Sequence, residues 1–259
     1  MFLDVILADK QREVAEREAV RPLDVLERMA ASANPCRDFQ HALQKPGLSV
    51  IAEIKRASPS RGPIRPDLNA LALAMEYEAG GCAVISVLTD GPHFGARDGD
   101  LPGARAAVSI PVLRKDFLTC EYQLWESRAL GADAVLLIVA ALERHALRRL
   151  ISLSEKLGMC PLVEVHRQDE VEAAVDAGAR VFGINNRDLH SFRVDLETTR
   201  RLRPMIPPGG VTISESGILG PAEAALVRSW GADAVLVGEA LVSSPNPGDL
   251  IREMRSGST

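Results

Sequence analysis

Short continuous apolar runs alternate along this chain with longer stretches in which apolar residues recur at helical spacing. One phrase appears four times: a helix-like stretch closes on glycine and a run of β-branched residues follows. The copies are Glu78 to Leu88, Ala129 to Val139, Asp176 to Ile184 and Ser229 to Gly238. Glycine past a helix end adopts the left-handed conformation at no steric cost, and a run without polar alternation marks a strand buried on both faces. Each copy therefore reads as the helix-to-strand half of a βα unit. Further runs at Ser49 to Ile54, Pro111 to Leu113, Pro161 to Val165 and Val211 to Ile213 raise the strand candidates to eight. They centre near residues 52, 85, 112, 136, 163, 182, 212 and 235.

The intervening spacing of Leu71, Ala74 and Met75, and of Leu147, Leu150 and Ile151, predicts amphipathic crossover helices. Eight strands with eight crossovers predict an α/β fold closed as a (β/α)8 TIM barrel. An open doubly wound sheet is the alternative, but no G-x-G-x-x-G follows the first strand, and 259 residues suit a barrel. Residues 1–259 are read as one domain. Residues 1–48 form an N-terminal helical extension, with a helix over Asp4 to Glu18 and breaks at Pro22 and Pro46. It either closes the barrel bottom or covers part of a pocket.

Composition narrows the function classes. With 46% apolar and 25% charged residues the chain is neither disordered nor fibrous. Its longest apolar run, Ala134 to Leu142, is far shorter than the roughly 20 residues of a membrane span, and Asp4 interrupts the apolar start before a signal core forms. A cytoplasmic location with no membrane contact is expected. A net charge of −5 without blocks of like charge argues against nucleic acid, leaving a small-molecule partner. Cys36, Cys82, Cys120 and Cys160 lack metal-ligand spacing, so no metal site is expected and the thiols read as incidental. A monomer is the default expectation, since nothing in the sequence speaks to assembly.

In such a barrel the C-terminal strand ends face the active site. Here they are charged: Glu53 and Lys55 close strand one with shared parity, Lys115 closes strand three, Glu164 strand five and Glu215 strand seven. Solvated residues just past the strands are the bland reading. The lysines weigh against it, because the chain has only five lysines against 25 arginines and two of the five stand at strand ends. Arginine would serve a structural ion pair; a titratable amine serves proton transfer. Ser216-Gly217 after strand seven and Gly238-Glu239 after strand eight form a paired candidate for phosphate binding through backbone NH groups. Asn185 closes strand six and reads either as a hydroxyl ligand or as a helix cap. Arg187 and Asp188 read as a local pair, and His166, which shares the parity of Glu164 but lies beyond the apolar run, reads as a loop or capping residue rather than a site residue. Ser58 to Gly62 form a turn-rich loop able to close over a ligand.

The phrases Ile51 to Ser60, Val87 to Asp90, Val112 to Phe117, Gly183 to Leu189 and Ile213 to Ile218 together resemble the indole-3-glycerol phosphate synthase family. Ala8 to Val14 resemble that family's opening helix. The resemblance implies closure of the pyrrole ring of 1-(2-carboxyphenylamino)-1-deoxyribulose 5-phosphate with loss of carbon dioxide and water, without cofactor. It implies Lys115 as the acid that protonates the ketone. Lys55 would bind the substrate carboxylate or assist dehydration, and Glu53 and Glu164 would exchange protons. Asn185 and Glu215 would orient hydroxyls and lysines. Ser58, Ser216, Gly217, Gly238 and Glu239 would hold the phosphate, Phe94 and Phe117 would flank the aromatic ring, and Arg187 joins the binding set. Two positions depart from the family pattern: Ala96-Arg97 where Gly-Ser is common, and Arg61 where lysine is common.

Three rival readings use the same barrel. A phosphosugar isomerase would place cysteine with aspartate, or two aspartates, at these strand ends. A Schiff-base aldolase would place lysine where Asn185 stands. A non-catalytic phosphometabolite-binding barrel would have no need of the acids and amines.

Overall fold

The computed structural model describes residues 2–189 and 191–257. Eight parallel strands close a barrel in sequence order: β1 (Ser49–Ile54), β2 (Val84–Leu88), β3 (Val112–Lys115), β4 (Ala134–Ile138), β5 (Cys160–Val165), β6 (Val181–Asn185), β7 (Val211–Glu215) and β8 (Ala234–Val237). The closing pair is β8 with β1, in register from Ser49 opposite Ala234 to Ala52 opposite Val237. Every predicted strand centre falls inside a strand. The glycines of the recurring phrase do the predicted work, since Gly81, Gly131, Gly178 and Gly231 all have φ between 87° and 93°.

Two copies of the phrase share Gly-Ala-Asp-Ala-Val, and their aspartates act alike. Asp133 accepts the backbone NH of Val112 at 2.8 Å, and Asp233 accepts that of Thr212 at 2.8 Å. Each carboxylate thereby ties the start of its own strand to that of the preceding one. Alternation then sorts the strand residues into two cores. Side chains such as Ile51, Leu113, Leu136, Leu162 and Ile213 fill the barrel, while Val50, Ile85, Val135, Val163 and Val235 pack outward under the helices.

Of the predicted crossover faces, Leu147, Leu150 and Ile151 are buried in the helix Arg144–Lys156. The face of the helix Ala70–Ala79 requires correction: Leu71 and Met75 are 45% and 52% exposed, and Ala70, Leu73, Ala74 and Tyr77 are the buried side. Both sets are helically spaced, and a helix this apolar offers two candidate stripes; packing against β1 and its neighbours selects one. Among the described residues no helix is long and apolar enough to cross a membrane.

The extension consists of α1 (Phe2–Val20), α2 (Leu23–Ser32) and α3 (Phe39–Leu43). Its two expected placements are both realised, by different segments. Phe39, Ala42 and Leu43 of α3 join the interior apolar cluster below the charged strand ends, whereas Leu3 and Ile6 of α1 line the cavity at the opposite end. Only Ile6 and Lys10 of α1 are buried among its described side chains. Lys10, 2% exposed, lies 2.9 Å from Asp116, 3.1 Å from Asp90 and 2.7 Å from Glu13. Arg114 extends the network, meeting Asp116 at 2.9 Å and Glu126 at 2.8 Å, and Glu126 returns to α1 through Arg17 at 3.1 Å. Burial disfavours the ammonium of Lys10, but Asp116 and Asp90 outweigh it and raise its proton affinity.

Removing one partner from a buried ion cluster strands the others in a poorly solvating interior. Lys10→Met is therefore expected to lower the unfolding free energy by about 3–5 kcal/mol, measured by urea denaturation at pH 7. An unchanged midpoint would show that α1 docks without this contact.

Candidate active site

All fourteen residues singled out from the sequence line one cavity at the C-terminal end of the barrel: Glu53, Lys55, Ser58, Phe94, Lys115, Phe117, Glu164, Asn185, Arg187, Glu215, Ser216, Gly217, Gly238 and Glu239. Strand alternation explains the convergence, because each charged position continues the inward parity of the apolar residue two before it. Glu53 follows Ile51, Lys115 follows Leu113, Glu164 follows Leu162 and Glu215 follows Ile213.

Lys115 occupies the centre. Its Nζ lies 3.4 Å from Glu164 Oε2 and 3.6 Å from Glu215 Oε2. Asn185 Nδ2 donates to the other Glu164 oxygen at 3.1 Å. On the β1 side Lys55 Nζ is 3.4 Å from Glu53 Oε1, and Ser86 donates to Glu53 Oε2 at 3.5 Å. Burial works against the charge on Lys115, yet Glu164, Glu215 and Glu53 together hold its amine above the ordinary lysine range. Burial likewise opposes ionisation of Glu164, but Lys115, His166 and Asn185 reverse it and hold this carboxyl well below the usual range. Glu215 goes the other way. Burial and the neighbouring Glu164 and Glu53 outweigh Lys115 and push it up to about 8. Closely spaced acids cannot all ionise around limited positive charge, so the site retains a proton on Glu215 at neutral pH.

Glycine makes the crowding possible. A Cβ built on Gly183, inward on β6, would lie 2.1 Å from Glu215 Oε1, and one on Gly238 would lie 2.5 Å from Glu53 Oε1. Gly183 was not singled out from the sequence, where it is one apolar-run residue among many; its inward parity between Val181 and Asn185 is the signal that marks it.

The mouth is polarised. Ser216-Gly217, Gly238-Glu239 and Ser58 stand above the adjacent strands β7, β8 and β1. Ser216 and Gly217 both have positive φ, 66° and 82°, an unusual conformation for serine. Asn186, buried below, steadies this turn by donating to the Ser216 carbonyl and to Ser214 Oγ, each at 3.0 Å. Across the barrel Phe94 and Phe117 have ring centroids 6.3 Å apart, beside Leu88, Leu136 and Ile138 from β2 and β4. The loop after β1 folds as a small hairpin, Ala57–Ser58 against Gly62–Pro63, and its Arg61 pairs with Glu239 across the mouth. Arg187 donates to the Phe192 carbonyl at 3.1 Å, and Asn185 Oδ1 accepts the Arg187 NH at 3.0 Å, so Asn185 both caps its turn and contacts Glu164.

The reading of His166 as a loop or capping residue is incomplete. Its ring lines the adjoining cleft and reaches Glu164 from behind, with Nε2 3.3 Å from Glu164 Oε1. Leu3 and Ile6 of α1 were likewise not named from the sequence, because nothing local predicts where a helix outside the barrel will dock.

A family model described as indole-3-glycerol phosphate synthase matches residues 3–254. The chain belongs to that family. It is 50% identical over 252 residues to indole-3-glycerol phosphate synthase 1 of Streptomyces coelicolor, covering 97% of this chain and 94% of that protein. The indole-3-glycerol phosphate synthase of Roseiflexus sp. is 47% identical, with 99% of each chain covered. A solved structure of thiamine phosphate pyrophosphorylase from Pyrococcus furiosus superposes with a TM-score of 0.62 at 16% identity, over 83% of this chain and 97% of that one. That likeness shows the shared barrel alone. Glu53, Lys55, Lys115 and Glu215 lie within the phrases on which the sequence resemblance rested, and Glu164 on strand five lies outside them.

Because the folded-state proton affinity of Glu215 exceeds its unfolded value of 4.5, the group favours folding below that pH and progressively less as pH rises through about 8. Glu215→Gln stays neutral throughout. Its stability relative to the parent is expected to rise between pH 4.5 and 8 and then level off, read by denaturant midpoints across that range; a constant difference would show that Glu215 is ionised in the free protein.

Proposed function

We infer that this protein converts 1-(2-carboxyphenylamino)-1-deoxyribulose 5-phosphate to indole-3-glycerol phosphate, as a carboxy-lyase of tryptophan biosynthesis. The polarised mouth carries the reading: an anion cradle over β7, β8 and β1 stands opposite an aromatic slot over β2 to β4, with Lys115 between them. A phosphate in the cradle and a carboxyphenyl ring in the slot bring the substrate ketone over the ammonium.

Attack by the carboxyl-bearing ring carbon on that ketone forms the new carbon–carbon bond and develops negative charge on the ketone oxygen. Lys115 delivers a proton there, and the neighbouring acids that hold it charged relay a replacement proton back to the amine. Loss of carbon dioxide returns the bond electrons to the ring. Departure of the hydroxyl as water, protonated as it leaves, with loss of a proton from the methylene carbon beside the nitrogen, completes the pyrrole and leaves its N–H in place. In this reading Lys55 pairs with the substrate carboxylate or assists dehydration, and Glu53 and Glu164 accept and return protons. Neutral Glu215 can donate a hydrogen bond to a substrate hydroxyl, and Asn185 supports the same hydroxyls. Ser58, Gly217, Gly238 and Glu239 meet the phosphate, the last three through backbone NH groups. The reading assigns the enzyme to the cytoplasm, since a substrate bearing a phosphate and a carboxylate does not cross a bilayer unaided.

Purified protein supplied with this substrate is expected to generate indole fluorescence. Folded protein that forms no product would instead favour a binding role. Lys115→Ala is expected to lose turnover by about 10²–10⁴-fold with its circular dichroism unchanged, and near-normal turnover would refute the assignment of the acid.

A further inference from the structure

His166 follows the last residue of β5 and continues the inward parity of Glu164. Its ring is wedged between two carboxylates. Nε2 lies 3.3 Å from Glu164 Oε1, and Nδ1 lies 3.2 Å from Glu170 Oε2, the oxygen that also accepts the His166 backbone NH at 2.7 Å. Glu170 sits in the first turn of the helix Gln168–Asp176, is itself buried, and is fixed from outside by Arg167 at 3.2 Å from its other oxygen. Glu164 is thus gripped on both sides: one oxygen faces Lys115, and the other faces Asn185 and His166. A neutral imidazole has one NH and one lone pair, so it satisfies only one of two flanking carboxylates; an imidazolium satisfies both.

We propose that His166 is a positioning residue, a protonated bridge between Glu170 and Glu164 that holds Glu164 ionised and aimed at Lys115. The proposal rests on the reading of Glu164 as a working proton acceptor and adds the group that sets its proton affinity. Burial disfavours the imidazolium, but Glu164 and Glu170 outweigh it and push the ring up to about 9. Other charges face the same region. Lys115 and Glu215 act on Glu164 from β3 and β7; Arg187, Asp188, Arg193 and Asp195 line the adjoining cleft from the loop after β6, Arg201 lines it from the helix that follows, and Asp4 lines it from α1. Of these charges, Glu164 and Glu170 are the ones in direct contact with the ring.

Consequences for catalysis follow from the charge. With Lys115 and His166 both cationic, Glu164 is a weak base in the free enzyme. Once Lys115 gives its proton to substrate, one of the two cations beside Glu164 is gone and its proton affinity rises at the step that needs it.

The first test needs no substrate. In 15N-histidine-labelled native protein the His166 ring is expected to keep both nitrogens protonated through pH 8 and to titrate near 9. Glu170→Gln is expected to displace that titration downward, which also identifies the resonance. A ring that titrates near the ordinary value of 6.5 overturns the proposal, whether or not the protein turns over substrate. The second test reads turnover. His166→Gln removes a cation from beside Glu164 and is expected to move the acid limb of kcat upward by about one pH unit, an effect of about tenfold on that limb, with KM within about twofold. Glu170→Gln keeps the ring and is expected to match the parent at pH 6 and His166→Gln at pH 9. Acid limbs that coincide in all three proteins, or a loss in Glu170→Gln that is the same at every pH, overturn it.

Discussion

One ammonium among three buried carboxylates governs this molecule. Lys115 Nζ within 3.6 Å of both Glu164 and Glu215 is stable only because the barrel closes around it, and the barrel tolerates that charge density only because the acids share the cation unequally. Glu164 is ionised by its contacts with Lys115, Asn185 and His166. Glu215, facing the same lysine with fewer partners of its own, retains its proton instead. Interior charge without a partner is too expensive to persist, so protonation states are assigned by competition for neighbours. The result is a site in which neighbouring carboxyls within a few ångströms are driven in opposite directions, Glu164 toward its ionised form and Glu215 toward its protonated one.

The surrounding structure serves that arrangement. Gly183 and Gly238 leave the space into which Glu215 and Glu53 extend, and the Asn186 network steadies a turn that serine adopts only under constraint. The extension divides its labour by chemistry. Its apolar segment α3 seals the barrel floor, while α1, with Ile6 and Lys10 as its buried positions, is pinned above the mouth chiefly by charge. That pin reaches Asp116, the residue next to Lys115, so the cover and the central amine share one stretch of backbone.

Much of this was legible along the chain. The apolar runs and their glycines located eight strands, parity placed Glu53, Lys55, Lys115, Glu164 and Glu215 on inward faces, and the paired loops after β7 and β8 marked one rim of the cavity. These are local signals: a strand's alternation and a glycine's left-handed turn depend on a few adjacent residues. The misreadings arose where the neighbour is distant. Leu71 and Met75 looked like a packing stripe, but the sheet chose the other side of their helix. His166 stands in a loop as read, and its partners Glu164 and Glu170 are near in sequence; what the fold adds is the burial of both carboxylates around its ring. Lys10 belonged to a recognisable phrase, yet nothing in that phrase announced a cluster of acids from two strand ends.

The sequence by itself determined the number of strands, their order of appearance, the face each charged residue takes and the family to which those residues point. Tertiary structure alone decided how the buried carboxyls are driven apart in proton affinity and which end of the barrel each part of the extension covers. Backbone periodicity is encoded within a turn or a strand, whereas desolvation and Coulomb energy depend on distance through space, and folding brings together charges as far apart along the chain as Lys115 and Glu215.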